Sequence, residues 1–286
     1  MIESLFQKDK TLFSFEVFPP KKEDEFNTAF STLDSLALLK PDFISVTYGA
    51  GGSKSKKTVE IASYIKNNLK LPALAHLTCV GSKRFDIDNI TQELAKHQVR
   101  DILALRGDRP KSMSTEQYEN RNFPYAADLI SYLAQKNEFS IAAACYPEKH
   151  FESPSLHEDL YHLKEKEHAG ANYLISQLFF DNTTFYRFLD QIQKNHITIP
   201  VCAGVMPITS ASALGTTVSL SGSSVPKELS NLIAKYGDVP DEMRKAGIDY
   251  ACRQMIDLKE HSVDGIHLYT MNKSKMAAEI MQQVRA

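Results

Sequence analysis

The feature that most constrains this chain is a rhythm: a short apolar run followed by a longer amphipathic one, eight times over. The apolar runs are residues 11–17, 43–47, 73–79, 101–105, 140–145, 173–178, 199–204 and 265–269. Each is rich in β-branched, aromatic or small apolar residues and is bounded by turn residues, which reads as a strand. Helical periodicity fills the intervals, most clearly at 26–39, 57–69, 88–97, 126–136, 156–168 and 183–195. The interval after the seventh run is longer and divides into several helices, ending with 241–261; a last helix, 273–284, follows the eighth run. Strands alternating with helices make a parallel sheet, and eight such units predict a closed (β/α)₈ TIM barrel. Periodicity does not by itself establish closure, so an open, doubly wound sheet is the alternative. No linker, repeat or low-complexity tract divides the 286 residues, which suit one α/β barrel domain spanning 1–286.

A formal charge of −2 and a pI near 6.5 give no electrostatic reason to bind nucleic acid or a membrane surface. No apolar run reaches the length that spans a bilayer. The opening MIESLFQKDK lacks a signal-peptide core, so a cytoplasmic location is expected. Cys79, Cys145, Cys202 and Cys252 are scattered singly and read as small buried hydrophobes. The nine histidines form no metal signature; Glu158 and His162, four apart on a helix, read as an ordinary solvated pair.

Barrel active sites form at the C-terminal ends of the strands, so the residue that stops each apolar run matters. Those residues include Glu16, Thr47 and Tyr48, Arg106-Gly107-Asp108, Tyr146 through His150, Gln177 and Asn272. Polar residues commonly mark strand ends, and for Thr47, Tyr146 or Asn272 alone that plain explanation suffices. Glu16 differs, because it lies inside an apolar strand where an unpaired carboxylate is costly. It needs a partner or a raised pKa, and a carboxylic acid protonated near neutrality is a general-acid candidate. His76, within LPALAHLTC, has the same character more weakly and reads first as a satisfied core histidine. The segment from Tyr48 to Ser53 is glycine-rich but does not match G-x-G-x-x-G, so it reads as a loop that a bulky ligand approaches closely. On the fifth clear helix, Asp159, His162 and Lys166 share a stripe beside the apolar face of Leu156, Leu160 and Leu163. That stripe is either a solvated flank or a surface facing a cofactor tail, with Lys166 near a phosphate.

In order along the chain, SFEVFPPK at 14–21, PDFISVTYGAGGS at 41–53, AHLTC at 75–79, LALRGDRP at 103–110, AAACYPEKH at 142–150, HAGANYLISQLFFD at 168–181, PVCAGVMPIT at 200–209 and LYTMN at 268–272 resemble bacterial-type methylenetetrahydrofolate reductases. The resemblance implies the eight-stranded barrel, bound FAD, and NADH or NADPH as hydride donor. It also implies ping-pong reduction of 5,10-methylenetetrahydrofolate to 5-methyltetrahydrofolate, which supplies methyl groups for methionine synthesis. The partner it implies is a small-molecule folate substrate, and bacterial relatives point to a homo-oligomer. Residue by residue, Thr47, Tyr48, Ala50, His76, Arg106, Gly107, Asp108, Tyr125, Tyr146, His150, Asp159, His162 and Lys166 correspond to FAD contacts. Glu16 matches the proton donor, Asp108 a carboxylate beside both flavin and folate, and Gln177 an amide that reads the pterin. Three positions depart from the pattern: Thr217 stands where an aromatic is expected, Ala213 where a glutamine is, and Lys273 where the basic residue is usually arginine.

Two rivals remain at this point. A barrel aldolase needs a desolvated lysine at a strand end for a Schiff base, and the strand ends offer Glu, Thr, His, Asp and Gln instead. A flavin-free barrel that only binds and delivers a reduced folate accounts for Asp108 and Gln177 and leaves the other matches idle.

Overall fold

Strand β1 (Leu12–Val17) is buried at every position, as a parallel strand covered on both faces must be. The computed structural model describes residues 1–7, 10–20, 22–48 and 52–286, and the same burial runs through β2 (Phe43–Val46), β6 (Tyr173–Ser176) and β7 (Val201–Val205). With β3 (Ala73–Thr78), β4 (Asp101–Leu105), β5 (Ser140–Cys145) and β8 (Gly265–Tyr269), they form one closed parallel barrel in sequence order. Closure comes from β8 lying against β1, with Ser14 opposite His267 and Glu16 opposite Tyr269. This removes the open-sheet alternative.

The helices are α1 (Phe26–Ala37), α2 (Gly52–Asn67), α3 (Arg84–Lys96), α4 (Thr115–Glu119), α5 (Ala126–Ala134), α6 (Leu156–His168), α7 (Asn182–Lys194), α8 (Ala211–Ser221), α9 (Lys227–Tyr236), α10 (Pro240–Glu260) and α11 (Ser274–Arg285). Their amphipathic patterns explain their seating. In α7, Phe185, Phe188 and Ile192 fall on one face and are buried, and the Asp181 side chain caps the helix by accepting from the Thr183 N–H. In α6 the Ser155 hydroxyl caps the start, Leu160 and Leu163 face the sheet, and acids in the first turn with bases in the last complement the helix dipole.

Two departures from the sequence reading have simple causes. Helix α2 starts at Gly52, five residues before the expected start at 57, because the stretch 52–56, GSKSK, holds no apolar residue to carry a period. Helix α4 has five residues, too few for a periodic signal, and is held by reciprocal bonds between Ser114 and Gln117.

The barrel interior has two halves. Phe43, Leu74, Leu103, Ala142, Tyr173, Ile175 and Cys202 fill the lower half, and Ile2 from the N-terminal 3₁₀ turn (Ile2–Leu5) closes it. The Ile2 N–H donates to Asp101 Oδ1 at 2.6 Å, and burial pushes the Asp101 carboxyl up to about 6. The upper half is polar, with Ser14, Glu16, Ser45, His76 and His267 all buried. The four cysteines are free and buried. Among the described residues, no helix is long and apolar enough to cross a membrane.

Candidate active site

Glu16 sits at the end of β1 with its side chain 10% exposed. The partner its burial demands is supplied twice. Its Oε2 lies 3.6 Å from His76 Nε2 on β3 and 3.6 Å from His267 Nε2 on β8. Burial holds the His76 imidazole down to about 4, although the Glu16 charge pulls it the other way, so His76 is neutral at physiological pH. Among the described residues His76 Nε2 is buried with no hydrogen-bond partner, and Glu16 Oε2 lies 3.6 Å from it.

Around this pocket stand the other strand-end residues. Thr47 follows β2 and accepts the Thr58 hydroxyl on its carbonyl, and Tyr48 packs partly buried against the outer core. Ala50, also expected as a contact, lies outside the described residues. After β4, Gly107 adopts φ +82°, and a Cβ there would fall 2.9 Å from Thr78 Cβ, so only glycine gives this bare turn. Arg106 forks onto Glu152 through two bonds of 2.5 and 2.9 Å, which raises the guanidinium and lowers the carboxyl. Asp108 is exposed at the rim.

Behind them, Tyr146 meets His150 edge-on at 4.7 Å and the Lys166 ammonium at 5.8 Å. Burial raises the Tyr146 phenol and lowers the His150 imidazole. Lys166 reaches from α6 to donate to the Ala144 carbonyl at 2.8 Å; burial lowers its pKa and the Asp159 charge opposes that shift. Lys166, a desolvated lysine, thus comes from a helix rather than a strand end and donates to backbone, which is poor ground for an aldolase.

The α6 stripe divides. Asp159 and Lys166 attend Tyr146, and Asp159 accepts from the Ser153 hydroxyl at 3.1 Å. His162 instead stacks on Tyr125 at 6.2 Å and 16°, leaving Tyr125 60% exposed. His162 pairs with Glu165, three residues on, at 2.7 Å rather than with Glu158.

Gln177 follows β6 and its Oε1 accepts from the Leu178 N–H at 2.9 Å. Lys273 is exposed and its ammonium stands 3.5 Å from the Thr209 hydroxyl. Asn272 is structural: its amide accepts from the Phe18 N–H and donates to the Phe18 carbonyl, tying the loop after β8 to the loop after β1.

Sequence reading missed His267, Ser14, Ser45 and Glu152. The period of two would have found the first three: Ser14 and Glu16 share one face of β1, and His267 shares a face of β8 with Tyr269. Glu152 lies 46 positions from Arg106 and carries no local signal.

Compared with known proteins, residues 1–285 match the methylenetetrahydrofolate reductase family. The chain belongs to that family. The 5,10-methylenetetrahydrofolate reductase of Pectobacterium carotovorum is 34% identical over 267 residues, covering 93% of this chain and 88% of that protein. Its counterpart in Buchnera aphidicola is 35% identical over 272 residues, covering 95% and 91%. A solved structure of a Clostridium thermocellum protein, which binds two copies of 5-methyl-5,6,7,8-tetrahydrofolic acid, shares the fold with a TM-score of 0.63 at 12% identity, covering 97% of this chain and 95% of that one. Of the three positions expected to depart from the pattern, two fall on α8, where Thr217 is buried and Ala213 half-buried, and the third, Lys273, precedes α11 and is exposed.

Proposed function

We propose that this chain is a flavoprotein that reduces 5,10-methylenetetrahydrofolate to 5-methyltetrahydrofolate with NADH or NADPH, the two substrates using the barrel mouth in turn. The observation that carries the reading is Glu16, a buried carboxyl at a strand end flanked by two imidazoles. Family membership supplies the reaction class.

The residues present suit FAD. Gly107 offers a turn that a Cβ would block, Tyr125 and His162 offer stacked rings at the surface, and Arg106 and Lys166 supply cations for a pyrophosphate. Thr47, Tyr48, His76, Asp108, Tyr146, His150 and Asp159 complete the proposed set. When bound, FAD supplies the hydride chemistry that no side chain has.

The chain's own residues do the rest. Glu16 delivers a proton to folate N10, which opens the five-membered ring and leaves a cationic carbon–nitrogen double bond at N5. Asp108 places a carboxylate where that positive charge develops, and Gln177, with a donor and an acceptor, matches the mixed edge of a pterin. Lys273 contributes a cation at the rim for the folate.

Stopped-flow measurement of the two half-reactions separates these roles. Glu16→Gln is expected to keep its flavin and its oxidation of nicotinamide while losing most folate reduction. Asp108→Asn is expected to slow folate reduction more than the nicotinamide step. Normal folate turnover by Glu16→Gln removes Glu16 as the acid, and the opposite ranking for Asp108→Asn removes its role beside the cation.

A further inference from the structure

Below Glu16 the barrel holds a polar group that the reaction above does not use. His267 is completely buried, and each ring nitrogen faces a hydroxyl: Nδ1 lies 2.7 Å from Ser14 Oγ and Nε2 lies 3.2 Å from Ser45 Oγ. The opposite face of the imidazole stacks on Phe43 at 5.9 Å and 19°, the top of the apolar floor. The second neighbour of Nε2 is Glu16 Oε2, at 3.6 Å.

A buried imidazole in an apolar-floored chamber is expensive unless its donor and acceptor are both matched. Ser14 matches the acceptor. Its hydroxyl has two acceptors in reach, the Ile266 carbonyl at 3.4 Å and Nδ1 at 2.7 Å; the much shorter contact takes the proton to Nδ1, which leaves the ring proton on Nε2. The Nε2–H then points at the side of the chamber where Glu16 and the Ser45 oxygen stand. Beneath the ring lie Phe43, Leu74, Leu103 and Tyr173, and this floor offers no described polar route downward from the imidazole. A relay that ends on a closed floor cannot carry protons through; it can hold a neighbour.

We propose that His267, locked as the Nε2–H tautomer by Ser14, is the positioning residue for the Glu16 carboxyl: its Nε2–H, shared between Ser45 Oγ at 3.2 Å and Oε2 at 3.6 Å, holds the acid from below and turns it toward the mouth. His76 faces the same oxygen from β3 and completes the bracket. The two hydroxyls come from strands that neighbour the ring because β8 closes on β1, and Glu16 pairs with Ser45 in register across β1 and β2. The proton that Glu16 gives up therefore returns through the mouth, between substrates, rather than through the barrel. The proposal rests on the reading of Glu16 as the acid.

The test is a set of variants of the flavin-loaded protein: His267→Leu, His267→Gln, Ser14→Ala and, as the reference, Glu16→Gln. Glutamine keeps an N–H near the Nε2 position; leucine keeps only volume. Each half-reaction is followed across substrate concentration. For His267→Leu the folate half-reaction is expected to slow about 30- to 100-fold, the cost of a misplaced acid. The loss should fall on the rate of the folate step more than on folate affinity, because the acid and not the binding surface is displaced. His267→Gln should stay within about threefold of the parent, as expected when one donor replaces another. Ser14→Ala should fall between them, and in every variant the nicotinamide half-reaction should slow less than the folate one. Should His267→Leu fail to fold, Ser14→Ala and His267→Gln carry the test. Unchanged rates in His267→Leu and Ser14→Ala, beside a defective Glu16→Gln, overturn this proposal and leave the acid in place. A His267→Gln variant as slow as His267→Leu overturns the donor role. Normal folate turnover in Glu16→Gln overturns both readings.

Discussion

The hydroxyl of Thr270 donates a 2.7 Å hydrogen bond to the backbone carbonyl of Glu16. Thr270 is fully buried just past β8, and its N–H reaches the same carbonyl at 3.3 Å. The motif that ends β8 thus fixes the end of β1. Thr270→Val keeps the shape and deletes the hydroxyl, and it is expected to cost about 1–2 kcal/mol of stability, since a buried acceptor loses one of its two donors. Chemical denaturation measures that loss. The folate half-reaction should slow more than the nicotinamide one, because the backbone displaced is that of Glu16.

His76 predicts how stability responds to acid. Its folded pKa, about 4, lies below the ordinary value of 6.5, so the unfolded chain binds more protons between those limits. Stability therefore falls as pH drops through that window, by up to about 3 kcal/mol at the low end. His76→Gln should flatten this slope between pH 6.5 and 4 in thermal melts at fixed cofactor occupancy. An equal slope in the variant assigns the acid sensitivity elsewhere.

Asp101 predicts the opposite sign. Burial lifts its carboxyl to about 6, so the folded chain binds the extra proton, and this contribution is lost as pH rises from about 4 through 6. Asp101→Asn keeps an acceptor for the Ile2 N–H without the buried charge. Its stability relative to the parent should rise by about 2 kcal/mol between pH 4 and pH 7.5. Paired melts at those two pH values check the direction.

At Gly107 the prediction concerns the cofactor. With φ at +82° and Thr78 Cβ 2.9 Å from any added Cβ, Gly107→Ala must shift the loop after β4. Flavin affinity should fall about tenfold or more, as for a side chain forced into a strained, crowded turn. Released-flavin fluorescence reads it. Retention equal to the parent argues against Gly107 as a contact.

How much of this was legible in the sequence follows from where each signal lived. Glu16 and His76 stood out because each interrupts an apolar strand, and a buried polar group must be answered somewhere. His267 interrupts β8 in the same way, yet sequence reading passed over it. It stands two residues before the polar end of its strand, and its meaning depends on β8 closing against β1 to put Ser14 beside it. The pairing of Arg106 with Glu152 and the parting of His162 from Asp159 and Lys166 are likewise tertiary facts. Strand positions were readable because period and turn residues are local, while barrel closure came from pairing that no local pattern contains.

The most direct test of the account is one spectrum of the purified protein under anaerobic conditions. Flavin absorption should be visible, should bleach on adding NADH or NADPH, and should return on adding 5,10-methylenetetrahydrofolate, with 5-methyltetrahydrofolate as product. A colourless protein, or a flavin that bleaches and stays bleached when the folate arrives, contradicts it.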